Sequence, residues 1–424
     1  MFWKKYPPAI LAVLLVIHLL AHIDRNMLLG FSPQIIKDLA LSNAQYGFLV
    51  GAVWVLSFGV MAVFMGTLAD RFSRTRVIAA GVLIWSLCTL ASGQAQSFEQ
   101  MLVARFFVAS GEAALVPAAV ALLAELFSGK RRGAAMGLFF MGIPLGVGCS
   151  FLLAGSFGAM HGWRSTYHAL GVIGIVIALP LALLKEDRSH LASQERGAPF
   201  LAQVRATLRT VSSNHALRFT IIGFVLVHLV FASFSFTQLW LVNERGMNAA
   251  GIATRIGALQ LVFGTLGAVA GGAIGDRAAG KLRGGHASFM ALLVVICAPL
   301  MLAYRFAPAG SPLFYIGMCA GFFLPLAIYG PALTAITGMT PQNMRSTVTG
   351  FTMLSINVFA LAIGTVVVGM AADYFVKAGA TAPLTGVLIA TDALAISSAL
   401  FFTLAARASC RQRAVAMENV QPVR

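Results

Sequence analysis

The chain has 424 residues, 59% of them hydrophobic and only 10% charged, with a mean hydropathy of +0.85. A soluble domain carries about 25% charged residues, so a soluble globular class is excluded. The net charge of +16 would suit nucleic acid only if it were gathered on one face, and five cysteines, four of them within apolar segments (Cys88, Cys149, Cys297 and Cys319), form no disulfide framework.

Ten or more runs exceed the roughly 18 apolar residues that span a bilayer. They do not alternate in polarity, which excludes a strand barrel. The start, Met1-Phe-Trp-Lys4-Lys5 before an apolar run, has the outline of a signal peptide, but no soluble domain follows. It reads as the first spanning helix, Ala9–Phe31. This helix carries Asp24 and Arg25, with His18 and His22 four residues apart on a stripe that Arg25 extends. Two histidines at that spacing suit a metal, but no third ligand stands nearby, so they read as cavity or packing residues.

Helix 2, Gln45–Ala69, and helix 3, Val77–Gln96, flank the turn Gly66-Thr-Leu-Ala-Asp70-Arg71-Phe-Ser-Arg74-Thr-Arg76. A basic turn this short between membrane-length helices stays on the cytoplasmic side. Helix 4, Glu99–Phe127, carries Arg105 and Glu112. Seven residues at 100° each return Glu112 nearly to the face of Arg105, about 10 Å along the axis at 1.5 Å per residue. Two acids and two arginines in one half make a nearly neutral set that can re-pair, with desolvation and neighbouring arginines acting oppositely on each carboxyl. Asp24 is expected to stay ionised beside its neighbour Arg25, leaving Glu112 as the proton carrier. A static ion pair is the alternative. Helix 5, Ala134–His161, is rich in glycine (Gly137, Gly142, Gly146, Gly148, Gly155), as where helix backbones approach closely. Helix 6 is Tyr167–Leu184.

The one long interruption, residues 185–215, has mixed charge, and within it Phe200, Val204 and Leu208 recur at helical spacing. This predicts an interfacial helix, with a flexible linker as the alternative. The second half continues as Ala216–Leu241, Ala250–Gly275, Ala287–Phe306, Ser311–Met339, Thr347–Phe375 and Pro383–Ala406. Its spans are almost free of charge, Asp392 being the main exception. Gln238, Gln260 and Asn357 are candidate substrate contacts, because an unpaired amide in hydrocarbon is costly, and His228 is a further cavity candidate. Residues 407–424 read as a polar, disordered tail.

The turn after helix 2 has a degraded copy at Gly272-Ala-Ile-Gly-Asp276-Arg277, with Lys281 and Arg283 beyond it. Asp70 and Asp276 stand 206 residues apart, close to half of 424. The halves therefore read as parallel repeats, residues 1–184 and 216–406, joined by a cytoplasmic linker, 185–215, and followed by a cytoplasmic tail, 407–424. With the amino terminus inside, inner segments hold 22 of the 30 Lys and Arg. The outer loops hold Lys37, Arg164, Arg245, Arg255, Arg305 and Lys377. That asymmetry places both termini in the cytoplasm and removes the need for a nucleic-acid partner.

The pattern G-x-L-A-D-R-x-x-R-x-R resembles the signature loop between helices 2 and 3 of the major facilitator superfamily. The resemblance implies an all-α membrane fold of twelve helices in two six-helix pseudo-symmetric bundles. It also implies a gating role for Gly66, Asp70, Arg71 and Arg74, and for Asp276 and Arg277 in the copy. Three further patterns resemble the Spinster-type branch, proton-linked transporters of lysolipids and sphingoid phosphates: His-Ile-Asp24-Arg25; Arg105-x-x-Val108-x-x-Gly111-Glu112-Ala113; and Phe139-Phe140-Met-Gly-Ile143-Pro144-Leu-Gly146-Val-Gly148 with Trp163-Arg164. The Asp-Arg and Gly-Glu-Ala positions also suit the anion:cation symporters of organic acids. Helix 11 departs from the Spinster pattern, reading Ile-Asn357-Val-Phe-Ala-Leu-Ala-Ile-Gly364 where Gly-Asp and a proline are expected.

The expected function is proton-coupled transport of a small organic anion, amphiphilic or aromatic, by alternating access in a cell (inner) membrane. Glu112 and Asp24 are the coupling acids. Arg25, Arg105, His22, His228, Gln238, Gln260 and Asn357 are the substrate contacts. Spinster-type lysolipid export and drug efflux by antiport are the alternatives. The chain is expected to work as a monomer without cofactor or metal. No metal cluster, nucleophile elbow or phosphate loop in the sequence supports an enzyme.

Overall fold

The computed structural model describes residues 6–183 and 200–418. Among these, twelve helices are long and apolar enough to cross a membrane. In chain order they are α1 (Pro7–Gly30), α2 (Asn43–Ala62), α3 (Arg74–Gln94), α4 (Phe98–Leu126), α5 (Arg131–Gly155), α6 (Phe157–Leu181), α7 (His215–Ser235), α8 (Ala249–Lys281), α9 (His286–Phe306), α10 (Pro312–Gly338), α11 (Arg345–Lys377) and α12 (Pro383–Gln412). No strand occurs among the described residues. The expected spans all appear, because length and apolar content alone define a membrane helix. Large apolar side chains such as Leu87, Val176, Leu179, Val295 and Leu400 remain exposed. In a chain of this hydropathy, such side chains face lipid.

The helices pack into two units. One comprises residues 6–183, 235–261 and 365–381; the other comprises 200–234, 262–364 and 382–418. α8 and α11 are thus each shared, and the division falls in or beside π-helical turns, Gln260–Gly264 in α8 and Ile356–Ile363 in α11. Such turns interrupt the regular helical ladder and often mark functional positions.

The first unit has a core of Leu14, Ile17, Val82, Trp85, Val108, Ala118 and neighbours. Small residues set its close approaches. Gly81 and Gly111 bring α3 and α4 together so tightly that a Cβ on Gly81 would lie 2.6 Å from the Gly111 carbonyl oxygen. In α5, Gly142 and Gly146 pack on His18 and His22 of α1, whereas Gly148 and Gly155 face α8. Gly137, grouped with them in the sequence, meets nothing within 4 Å.

The start of α2 is capped twice. Ser42 Oγ accepts from the Gln45 amide, and Gln45 Oε1 from the Ser42 amide, forming a capping box. Asp373 of α11 takes the next two amides, accepting from Asn43 N and Ala44 N at 2.9 Å each, and from the Asn43 side chain. One turn further on, Thr365 donates to the Gly47 carbonyl at 2.7 Å and Tyr46 to the Ser235 carbonyl at 2.8 Å.

In α6 the chain breaks helical geometry at Gly162, where φ is +80°, a conformation that excludes most side chains. The kink presents Trp163 and Arg164 to Asp38. Both donate to Asp38 Oδ2, at 2.8 and 2.6 Å, and Arg164 also reaches the Ala95 carbonyl. The Trp163 N–H, followed by the Arg164 contacts, holds this carboxyl below the usual carboxylate range.

The second unit packs around Leu217, Phe224, Met290, Val294, Leu324, Ile328 and Phe402. The helix expected at Phe200–Leu208 runs Phe200–Ser213, with Val204 and Leu208 on its exposed side. Residues 185–199 of the expected linker lie outside the described residues. Two expectations are corrected here. Residues 407–418 of the tail are not irregular: helix continues to Glu418, and Cys410 contacts the Arg283 carbonyl. Arg305, counted above among outer-loop cations, is fully buried in the last turn of α9.

Candidate functional site

The four ionisable residues singled out in helices 1 and 4 lie in one unit, but they pair differently from the sequence reading. Asp24 does not pair with Arg25. Successive residues on a helix point about 100° apart, so neighbours in sequence do not face each other. Asp24 instead meets Arg105, whose Nη1 donates to Asp24 Oδ1 at 3.1 Å and whose Nη2 reaches the Asp24 carbonyl at 3.4 Å. Thr89 of α3 donates to the other carboxylate oxygen. The Arg105 guanidinium also lies over the Tyr167 ring, 4.6 Å from its centroid. This pair is almost wholly buried, and a charge removed from water in this way is tolerated when it is paired and hydrogen-bonded.

Glu112 is also buried, and its partner is a residue that sequence reading missed. The Trp54 indole N–H donates to Glu112 Oε2 at 2.8 Å, and Oε1 has no hydrogen-bond partner. The same indole carries Arg25, whose guanidinium carbon sits 3.4 Å from the ring centroid, at cation–π distance. Phe58 stacks on Trp54 at 4.4 Å. Arg25 has no hydrogen-bonded acceptor and no salt-bridge partner among the described residues. Ser57, one turn beyond Trp54, bonds Ser110 of α4 at 2.8 Å and helps fix α2 against the Glu112 helix. Thr89, Tyr167 and Trp54 carry no net charge and so did not stand out in the sequence. A tryptophan away from the interfacial belts, where this residue usually concentrates, was the available signal for Trp54.

Among the described residues no group of three His, Cys, Asp or Glu is placed to hold a metal. His18 donates from Nδ1 to the Phe139 carbonyl at 2.9 Å and stacks on the Phe139 ring. His22 stands edge-on to it, centroids 4.8 Å apart.

The second-unit candidates are scattered. His228 donates from Nδ1 to the Phe224 carbonyl at 2.7 Å, and its buried Nε2 is unpartnered beside Phe224, Phe231 and Tyr329. Asn357 bonds the Met353 carbonyl one turn back. Asp392 forms a buried pair with Arg305 at 2.8 Å, and Arg305 also donates to Ser233 at 2.6 Å. Gln238 and Gln260 belong to the first unit. Gln238 donates to the Ala249 carbonyl at 2.9 Å, tying Thr237–Asn243 to the start of α8, and Gln260 is buried at the head of the π-helical turn.

Of the gating candidates, Gly66, Asp70 and Arg71 fall in helix Val53–Arg71, and their side chains lie outside the described residues. Arg74 pairs with Glu125 at 3.1 Å, joining the start of α3 to the end of α4. Asp276 meets His286 at 3.1 Å, and Arg277 turns back to the Ala273 carbonyl.

Twelve apolar helices with buried, internally paired charges define a multi-pass membrane protein. The chain belongs to the Major Facilitator Superfamily, whose profile matches residues 14–365. It is 26% identical over 412 residues to an MFS-type efflux pump of Mycolicibacterium smegmatis, covering 94% of this chain and 92% of that one. Protein spinster homolog 1 of Homo sapiens is 30% identical over 230 residues, covering 53% of this chain and 43% of the human protein. Among solved structures, a bacterial homolog of the human lysosomal transporter Spinster superposes with a TM-score of 0.82 at 23% identity, over 96% of this chain and 98% of that one. That likeness fixes the fold.

Proposed function

We propose that this transporter moves a small organic anion, amphiphilic or aromatic, by alternating access, and that protons drive it. One observation carries the reading: Arg25, a guanidinium with no hydrogen-bonded acceptor among the described residues, lies on Trp54, which also holds the buried Glu112. A cation left without an acceptor at membrane depth suits an anionic substrate, and an adjacent carboxyl with one unpartnered oxygen suits a proton carrier. In this reading Asp24 and Arg105 hold the frame of the coupling set. His22, His228, Gln238, Gln260 and Asn357 are secondary contacts, each tested by alanine substitution and a transport assay.

Proteoliposomes test the coupling. Glu112→Gln keeps the shape but cannot exchange a proton, so pH-driven accumulation vanishes while exchange of substrate down its own gradient survives. Accumulation that persists in Glu112→Gln would move the role to Asp24 or to the α1 histidines.

The opposite direction, efflux by antiport, is favoured by one finding: the relative aligned over 94% of this chain is an efflux pump. Uptake and efflux assays in vesicles of known orientation separate the two. The 22 inner basic residues support cytoplasmic termini in a cell membrane, and labelling of a cysteine at position 2 or 415 from outside would refute that. Asp70, with Gly66, Arg71 and Arg74, is assigned to the conformational cycle, as are Asp276 and Arg277. Asp70→Asn should slow turnover and leave affinity within a few-fold.

A further inference from the structure

Trp54 touches both Arg25, the proposed anion contact, and Glu112, the proposed proton carrier. An indole N–H donates and never accepts. Glu112 Oε2 therefore serves as an acceptor from Trp54, and a proton arriving from water goes onto Oε1, the buried oxygen without a partner. The Oε1–H so formed requires an acceptor that no described residue supplies. Arg25, on the same indole, offers donors with no described acceptor. Both deficits are met by one chemical group: an oxyanion that accepts from the guanidinium fork and from the Glu112 hydroxyl together.

We infer that Trp54 is the positioning residue that makes proton loading and oxyanion binding one event. By engaging Oε2 it selects Oε1 as the proton-bearing oxygen, and by carrying Arg25 on its ring it keeps the anion's cation beside the proton's carboxyl. The inference rests on the anion reading above and adds to it the ligand group, a carboxylate or a phosphate, and the order of charge. Ionised Glu112 offsets Arg25 and repels an anion; protonated Glu112 leaves Arg25 uncompensated and becomes a donor itself. No bond other than O–H forms or breaks. The other charges acting on Glu112 are Asp24 from α1 and Arg105 from its own helix, which are engaged with each other. α2 contributes Trp54, and α3 meets this part of α4 through Gly81 and Trp85 against Gly111.

Infrared difference spectra of the full-length protein in nanodiscs, taken between acid and alkaline pH, test this. The carboxyl band absent in Glu112→Gln is that of Glu112. Trp54→Phe keeps a ring under Arg25 and removes only the N–H. It should move that band to higher frequency, as a C=O relieved of a donor does, and weaken binding of the effective probe about tenfold. Benzoate and phenyl phosphate are the probes. Whichever perturbs the Glu112 band identifies the oxyanion, and its binding should take up a proton in wild type and none in Glu112→Gln, measured calorimetrically in two buffers. Should Trp54→Phe fail to fold, the wild type still decides. The tryptophan N–H marker in ultraviolet resonance Raman spectra should shift as Glu112 titrates and stay fixed in Glu112→Gln. An unmoved band in folded Trp54→Phe, a static Raman marker, or indifference of the Glu112 band to both anions overturns the inference. Absent pH-driven uptake with these spectroscopic responses intact would remove the transport reading alone.

Discussion

Among the described residues each packing unit buries one arginine–carboxylate pair, and the two pairs sit in different company. In the second unit Arg305 and Asp392 meet at 2.8 Å, with Ser233 on one guanidinium nitrogen and Tyr304 beneath its plane at 4.4 Å. No further acid or arginine joins them among the charges that act on Arg305. In the first unit Asp24 and Arg105 are held comparably by Thr89 and Tyr167, but a second acid and a second arginine stand beside them, Glu112 with one oxygen unpartnered and Arg25 on the Trp54 ring. A buried pair with no further ionisable neighbour fixes a packing arrangement. One adjoined by unspent groups can change state when a proton or an anion arrives. In the proposed reading the same pair of residue types is structural in one half and part of the transport site in the other.

The largest effect is expected where the Arg305–Asp392 pair is cut. Asp392→Leu leaves Arg305 buried without its counter-charge and should lower stability by about 3–5 kcal/mol, read as thermal unfolding in detergent. Adding Arg305→Met should restore most of that loss and retain transport. A double variant that is stable but inactive would give this pair a functional role and break the contrast.

The corresponding change in the first unit sharpens it. Asp24→Leu should destabilise by about 3 kcal/mol through the same mechanism. Here the double change Asp24→Leu with Arg105→Met should recover stability and still fail to transport, because the frame under Glu112 is gone. Next comes Arg25→Ala. It removes a cation–π contact worth about 1 kcal/mol and no ion pair, so unfolding should barely move while anion affinity falls about tenfold or more, measured by competition binding.

The smallest effect belongs to the Asp38 cluster. A carboxyl depressed in the folded state contributes stability that is present above its ordinary value of about 3.9 and is lost as pH falls through the folded value. Asp38→Asn should therefore lower the melting temperature at neutral pH and flatten its decline in acid. The pair is partly exposed, so the change is worth about 1 kcal/mol or less.

The twelve helices were legible because an apolar run of membrane length has little place outside a bilayer, and the ionisable residues because a charge in such a run stands out. Their partnerships were not. Asp24 and Arg25 look like a pair in sequence and point apart on the helix, while the true partner, Arg105, is 81 residues away. Arg305 read as a loop cation because it lies one residue from the end of α9, and its burial is explained by the α12 carboxylate together with Ser233. Trp54 was hidden for a different reason: in a chain with 31 phenylalanines and 5 tryptophans, an aromatic residue attracts notice only once its N–H is seen against a carboxylate.

The double cap on α2 has a mechanical consequence. A helix start leaves several amides without partners, and here two are served locally, by Ser42 and Gln45, and two remotely, by Asp373. If Asp373 withdraws, α2 keeps its own capping box and does not fray, while the amides of Asn43 and Ala44 pass to water. The two halves of the cap are therefore independent: the contact from α11 can be lost while α2 keeps its own start, with Thr365 still on the Gly47 carbonyl.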